Sequence, residues 1–291
     1  MTILTGTPDP DMLTGGDEPD LILGLSAGDR LTGLRGSDTI LGGPGADTIN
    51  GDFPFLGPYI PPPGEANLLL GGAGADTITA GLGADTVLGG AGDDVLRGGI
   101  IDSLSGFLEG GAGTNYTDDR ADLMLGGAGN DLLDGANGSD TLFGGRGDDT
   151  LIGARGTDLL VGGRGHDVFL FAPEAGIFGG PDTGIGPEMR DVILDFYQGQ
   201  DLIDLSRLAF RFGSPADGTE PLPVFLGEGE FEASLALQVR VVTEGAVTIV
   251  QFASGLRSTD PDAAPEPPTG PSGEIELLGP YHLSEADFIL V

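Results

Sequence analysis

The chain has 291 residues, enough for one elongated or two compact domains, and sets 46 acidic side chains against 12 basic ones for a formal net charge of −34. That balance excludes nucleic acid and anionic membrane surfaces as partners, because neither finds a basic footprint here. It also opposes any compact state unless cations neutralise part of it, while the absence of cysteine removes disulfides, thiolate metal sites and thiol nucleophiles.

The first residues, "MTILTGTPDPDML", hold neither a basic stretch nor an apolar one, so no cleavable leader is expected in them. No run of the chain reaches the length of a membrane-spanning helix. Composition alone would permit disorder, but the placement of the apolar residues argues against it.

From residue 6 onward the chain repeats every nine residues. Aspartates fall in one register at Asp11, Asp20, Asp29, Asp38 and Asp47, then at Asp76, Asp85 and Asp94, then at Asp122, Asp131, Asp140, Asp149, Asp158 and Asp167. Two residues after each stands an apolar side chain, from Leu13, Ile22 and Leu31 to Leu151, Leu160 and Phe169. The unit reads G-G-x-G-x-D-x-U-x, with U apolar. Its glycines allow a tight turn, and its last three positions form a very short strand with U pointing inward. Two units make one 18-residue coil with a strand on each side. Several coils must stack before any U residue is buried.

These residues resemble the RTX, or haemolysin-type, calcium-binding repeats. "GGAGADTIT" (71–79), "GGAGDDVLR" (89–97), "GGAGNDLLD" (126–134) and "GGRGDDTLI" (144–152) match that nonapeptide almost completely. The resemblance covers roughly residues 6 to 171 and implies an all-β fold, a parallel β-roll. It also implies Ca2+ as the cofactor. The expected side-chain ligands are Asp29, Asp38, Asp47, Asp76, Asp85, Asp94, Asp122, Asp131, Asp140, Asp149, Asp158 and Asp167, with Asp11 and Asp20 weaker because their turns lack the fourth-position glycine. Backbone carbonyls are expected to join them near Gly71, Gly72, Gly74, Gly89, Gly90, Gly92, Gly126, Gly127, Gly129, Gly144, Gly145, Gly147, Gly162, Gly163 and Gly165.

Alternate turns share an edge, so each site should join one turn to the turn two units on, Asp149 to Asp167 for example, for at most about eight ions in all. The competing reading is that each aspartate only caps its own turn. For Asp11 and Asp20 the two readings stand level. A chain held apart by these carboxylates without calcium should fold as it binds the ion.

The series divides into repeats at 1–50, 67–97 and 122–171, separated by a Pro-rich insert at 51–66 and an irregular insert at 98–121. "NLLL" from Asn67 resumes the register without a carboxylate. The inserts read either as loops from one edge of a continuous roll or as boundaries between separate rolls. At the ninth position, Leu23, Leu41, Leu70, Leu88, Leu125, Phe143 and Val161 fall on one side, an outward apolar stripe. It suits docking or self-association, or is an ordinary β surface.

Beyond Asp167 the period stops, and 172–291 reads as a β-rich cap. "VILDFYQGQDLIDLS" (192–206) alternates about a glycine turn, and 235–253 reads as a hairpin. "RDVILDFYQGQDLIDLS" and the terminal "ADFILV" resemble the region that follows the repeats in serralysin-type secreted proteins. That resemblance implies an uncleaved signal for type I secretion machinery and a secreted, extracellular or cell-surface location. No catalytic residues are identified. HExxH is absent and the histidines are only His166 and His282, too few for a serralysin-like zinc site. "GLSAG" (24–28) matches a nucleophile elbow but lies in repeat register. The expected function is a non-enzymatic, calcium-folded structural or surface-interaction protein, with self-association or an extracellular surface or polysaccharide as partner. The alternative is an extracellular enzyme, such as a polysaccharide-modifying one, with its site in the inserts or residues 172–291.

Overall fold

The computed structural model describes residues 1–52, 66–99, 120–172, 183–209, 223–231, 237–253 and 271–290. Strands from successive units alternate between two sheets. The first sheet receives β1 (Ile3–Thr5), β3 (Leu21–Leu23), β5 (Thr39–Pro44), β7 (Leu68–Ala73), β9 (Thr86–Ala91), β11 (Leu123–Ala128), β13 (Thr141–Arg146) and β15 (Leu159–Arg164). The second receives β2 (Met12–Thr14), β4 (Arg30–Leu34), β6 (Thr48–Asp52), β8 (Thr77–Thr79), β10 (Val95–Arg97), β12 (Leu132–Asp134), β14 (Thr150–Ile152) and β16 (Val168–Leu170). Pairing within each series is parallel, so each strand's partner lies one full coil away.

The inward position explains the fold. Ile22, Leu31, Ile40, Ile49, Leu69, Ile78, Val87, Leu96, Met124, Leu133, Leu142, Leu151, Leu160 and Phe169 are all 0–1% exposed and form one column between the sheets. Their neighbours at the seventh and ninth positions point outward, as the two-residue alternation of a strand requires. The ninth-position stripe lies in register on the outer face of the first sheet, Leu41 beside Leu70 and Leu125 beside Phe143. The second sheet presents Thr32, Asn50 and Thr79 in the same place.

Of the two arrangements left open for the inserts, the strand pairing is that of one continuous roll. β5 pairs with β7 and β6 with β8 across the first insert, and β9 with β11 and β10 with β12 across the second. Both inserts leave the second sheet and return to the first. We call the turns running from first to second sheet the first edge, and those running back the second edge. The Pro-rich and irregular inserts themselves, 53–65 and 100–119, lie outside the described residues.

Glycine is demanded by the stacking. At Gly72 (φ 120°) and Gly74 (φ 136°) a Cβ would overlap the carbonyls of Gly43 and Gly45 in the preceding coil. Where the sequence departs from glycine, the backbone still adopts the left-handed region. Leu34, Ala136 and Ala154 do so at the second position of second-edge turns, with φ of 85°, 72° and 65°. Leu25 and Ala27 do the same in the first-edge turn that contains "GLSAG", which is therefore a roll turn and not a strand-to-helix elbow.

The C-terminal part continues both sheets. β17 (Asp191–Ile193) pairs with β15, and β18 (Leu202–Asp204) with β16. A short helix, α1 (Ser206–Ala209), and β19 (Val224–Gly227) follow, then β20 (Gln238–Glu244) and β21 (Val247–Ala253), which form the expected hairpin. β22 (Gly273–Leu277) joins that hairpin to β17, and β23 (Phe288–Ile289) covers the open side of β18. Arg190, 5% exposed, pins this cap through Glu276 (2.8 Å) and Glu274 (3.3 Å).

Two substitutions should move stability in opposite directions. Leu142→Ala leaves a void in the central column and is expected to cost about 2–5 kcal/mol. Ala154→Gly relieves a left-handed alanine and is expected to gain about 0.5–1 kcal/mol, after the entropy glycine loses on folding. Thermal melting at saturating calcium measures both.

Candidate metal sites

Each unit's aspartate sits at the end of its turn, immediately before a strand, and the stacking places it directly beside its counterpart one coil away. Its Oδ1 accepts the backbone N–H of that counterpart. On the first edge the series runs Asp11 to Asp29, Asp29 to Asp47, Asp47 to Asp76, Asp76 to Asp94, Asp94 to Asp131, Asp131 to Asp149, Asp149 to Asp167 and Asp167 to Asp201, at 2.7–3.1 Å. On the second edge it runs from Thr2 through Asp20, Asp38, Asn67, Asp85, Asp122, Asp140 and Asp158 to Asp191. Asp149 and Asp167 therefore stand as neighbours on one row, joined by a hydrogen bond, and Asp158 belongs to the opposite row.

The second carboxylate oxygen distinguishes the inner coils from the end. Oδ2 of Asp29, Asp47, Asp76, Asp94, Asp131, Asp149 and Asp167 is buried and accepts no hydrogen bond, although these residues are only 1–3% exposed. Asp158 on the second edge shares this state. At the N-terminal end the oxygens are satisfied locally. Asp11 Oδ2 accepts the Thr7 N–H (2.5 Å) and hydroxyl (3.0 Å), and Asp20 Oδ2 accepts the Gly16 N–H (2.8 Å). Those two cap their own turns.

The orphaned oxygens face a space that only glycine leaves open. A Cβ at Gly24 would lie 2.5 Å from Asp29 Oδ2 and 2.7 Å from the Gly42 carbonyl of the following coil. Gly71 repeats the arrangement with Asp76 and the Gly89 carbonyl, and Gly126 with Asp131 and the Gly144 carbonyl. Oxygen atoms from two coils thus converge where no protein donor reaches them. Calcium is a hard cation that takes six to eight oxygens, carboxylate and carbonyl alike, at roughly 2.3–2.6 Å. The donor set fits that ion and would poorly suit a soft metal. Among the described residues no three His, Asp or Glu side chains converge as ligands of one ion.

Burial governs the electrostatics. It raises the Asp76 and Asp149 carboxyls to about 7, with neighbouring rungs Asp47 and Asp94, or Asp131 and Asp167, adding to the effect. Asp158 is likewise pushed to about 7, and Asp131 and Asp167 to about 6. Asp20 moves the other way, held below the ordinary carboxylate range by the Thr2 N–H.

Three features escape the nine-residue pattern. Asn67 keeps the rung where the first insert rejoins the roll, its amide oxygen accepting the Asp38 N–H at 2.9 Å and its own backbone N–H donating to Asp85 at 2.7 Å. Asp191 and Asp201 extend the rows past the last glycine turn, and their signal is the surviving D-x-I in "DVI" and "DLI". An outer row of opposite polarity also runs along the first edge. There Asp93, Asn130 and Asp148 each accept, at 2.8 Å, the N–H of the fifth-position residue one coil on, ending at His166.

Comparison with known proteins matches the model of the RTX calcium-binding nonapeptide repeat, four copies, at residues 23–53, 64–100, 116–151 and 134–169. Over those residues the chain carries RTX-type calcium-binding repeats. No curated protein matches it. Among solved structures it is similar to the AlgE6R2 subunit of the Azotobacter vinelandii mannuronan C5-epimerase, at 24% identity, covering 70% of this chain and 91% of that one with a TM-score of 0.26. The AlgE6R3 subunit of the same enzyme follows at 25% identity, 70% and 81% coverage and a TM-score of 0.24. The extracellular lipase LipA of Serratia marcescens is 17% identical over 94% of this chain and 40% of the lipase, with a TM-score of 0.24. Such distant superpositions carry nothing about function; the repeat match and the RTX turn geometry do. Among the described residues no helix is long and apolar enough to cross a membrane.

The raised carboxyls fix the sign of a pH effect. In the folded, calcium-free roll these groups hold protons up to about pH 6–7, whereas in the unfolded chain they release them near pH 4. The native state therefore binds more protons over that interval, and its stability falls as pH rises through it. In EDTA, circular dichroism should show β-structure gained on acidification from pH 7.5 to 5.5. An unchanged spectrum would contradict this assignment.

Proposed function

We propose that this protein is a secreted scaffold whose RTX roll folds as calcium enters two rows of inter-coil sites. The observation that carries the reading is the first-edge series of buried Oδ2 atoms lacking a donor, Asp29 to Asp167, of which those from Asp29 to Asp149 each share their glycine space with a carbonyl of the following coil. The ligands proposed for the rows are Asp29, Asp38, Asp47, Asp76, Asp85, Asp94, Asp122, Asp131, Asp140, Asp149, Asp158 and Asp167, with carbonyls of the first glycines, and the upper estimate is about eight ions. Asp11 and Asp20 are left out of the strong set, since their carboxylates are satisfied by their own turns.

The net charge of −34 supports coupling between binding and folding, because the ion-free rows place carboxylate beside carboxylate. A chain unfolded at low calcium can pass a narrow conduit and fold where calcium is abundant. On this reading the C-terminal stretch around "ADFILV" addresses the chain to type I machinery before folding and afterwards becomes β23. The role outside is structural. The apolar stripe on the first sheet, from Leu23 to Val161, is the face offered to an extracellular surface, a polysaccharide or a second copy.

Calcium titration of the full chain at pH 7.5, followed by circular dichroism and equilibrium dialysis, tests the reading. A β-rich state is expected only with millimolar calcium, several ions per chain bound, and loss of structure on adding EDTA. Identical spectra and melting with and without chelator would sink it.

A further inference from the structure

The first edge does not finish where the nonapeptides do. At Gly24, Gly42, Gly71, Gly89, Gly126 and Gly144 the space beside the glycine lies between the unit's own aspartate and a carbonyl of the following coil, 2.7 Å from a built Cβ in every case. Around Gly162, the last of the series, the three nearest atoms all belong to Asp167, and no following carbonyl stands among them. Yet Asp167 Oδ2 is buried and accepts no bond, as in the coils before it.

The following coil, β17 to β18, brings an acidic side chain to this position in place of a glycine. β17 lays Ile193 beside Leu160, and Leu194 donates its N–H to the Leu160 carbonyl at 3.0 Å. That pairing puts Asp195 opposite Gly162, where its carboxylate accepts the N–H groups of Gly162 and Gly163 at 2.9 Å each. Asp201 forms the next rung. It accepts the Asp167 N–H at 3.1 Å through Oδ1 and the Tyr197 N–H at 2.7 Å through Oδ2. Capping of Gly162 and Gly163 explains Asp195 alone. It leaves Asp167 Oδ2 without a partner, on a carboxyl that feels the charges of both Asp201 and Asp195.

We infer that the last first-edge turn holds a divalent cation, Ca2+ by its oxygen chemistry, between Asp167 Oδ2 and the carboxylate of Asp195, which supplies the oxygen that a glycine carbonyl gives in the coils before. Both ligands come from segments that the repeat model leaves unjoined, since that match ends at residue 169. The ion would clamp the roll to its C-terminal cap, and Asp195 has no equivalent in the glycine turns. The inference rests on the calcium reading of the roll.

Tyrosine makes the site addressable, because Tb3+ replaces Ca2+ at oxygen sites and emits when a nearby tyrosine is excited. Tyr197 donates its N–H to Asp201, and Tyr281, packed on Phe196 at 5.7 Å between ring centres, has its phenol raised by burial and by the charges of Asp195 and Asp201. The test uses the full chain carrying Tyr59→Phe and Tyr116→Phe, leaving Tyr197 and Tyr281 as the only sensitisers. Tb3+ should give emission excited at 280 nm that calcium displaces. Asp195→Asn or Asp195→Ser, both of which keep an acceptor for the glycine N–H groups, should lower that emission about tenfold and reduce bound calcium by one ion with the roll's dichroism retained. Adding Tyr197→Phe and Tyr281→Phe should abolish emission and leave the calcium count unchanged.

Undiminished emission and ion count in either Asp195 variant overturns the inference, as does a folded parent chain with no sensitised emission at saturating Tb3+. A parent chain that binds no calcium fails the scaffold reading instead, and dialysis tells the two failures apart.

Discussion

One buried carboxylate per coil, stacked on the next along each edge, is the interaction on which the rest of this structure depends. Strand spacing sets neighbouring coils about 4.8 Å apart. At an effective dielectric near 20, like charges at that separation repel by about 3–4 kcal/mol per pair. Each carboxylate spends one oxygen on a neighbour's N–H, which fixes the register of the stack, and from Asp29 to Asp167 along the first edge the other oxygen has no protein donor. The geometry that aligns the coils is thus the geometry that most needs a proton or a cation. The apolar column favours stacking, but it runs between the same two rows and cannot form without bringing them together.

The two ends of the roll resolve this tension differently. At the N-terminal end the turn glycines are incomplete, and Asp11 and Asp20 turn their spare oxygens inward upon Thr7 and Gly16. At the other end the column does not stop. It passes through Phe169 and Phe196, 6.3 Å apart between ring centres, into the sheet built by the hairpin and β22. The buried Arg190 and its glutamates then hold that sheet by charge pairs of opposite sign, in place of a row of like charges.

Much of this was legible in the sequence because a strict period couples three requirements: glycine for close carbonyl contact, aspartate for the rung and an apolar residue for the column. Fourteen units kept all the information needed to place Asp149 against Asp167 and Leu151 in the core. The reading stopped short where one requirement was dropped. Asp191 and Asp201 occupy rungs without a glycine turn ahead of them, so the period hid them while the D-x-I remnant survived. Asp195 was invisible for a different reason: its role comes from strand pairing across an irregular connection, which no local spacing encodes. Whether the inserts divided the roll was also beyond the sequence, since parallel pairing skips any length of chain between partners.

The placement of the long connections has a further consequence. The breaks in the roll at 53–65, 100–119 and 173–182 each follow a strand of the second sheet and precede a strand of the first, so these three fall on the same edge. From Asp11 to Asp201 the opposite row is built of aspartate alone, whereas the interrupted row contains Asn67. The molecule is therefore two-faced as a building material. One margin is a conserved-geometry spine that sets length in steps of a coil, and the other is a margin tolerant of inserted sequence. New segments grafted at second-edge turns would be displayed at intervals set by the spine, without cutting it.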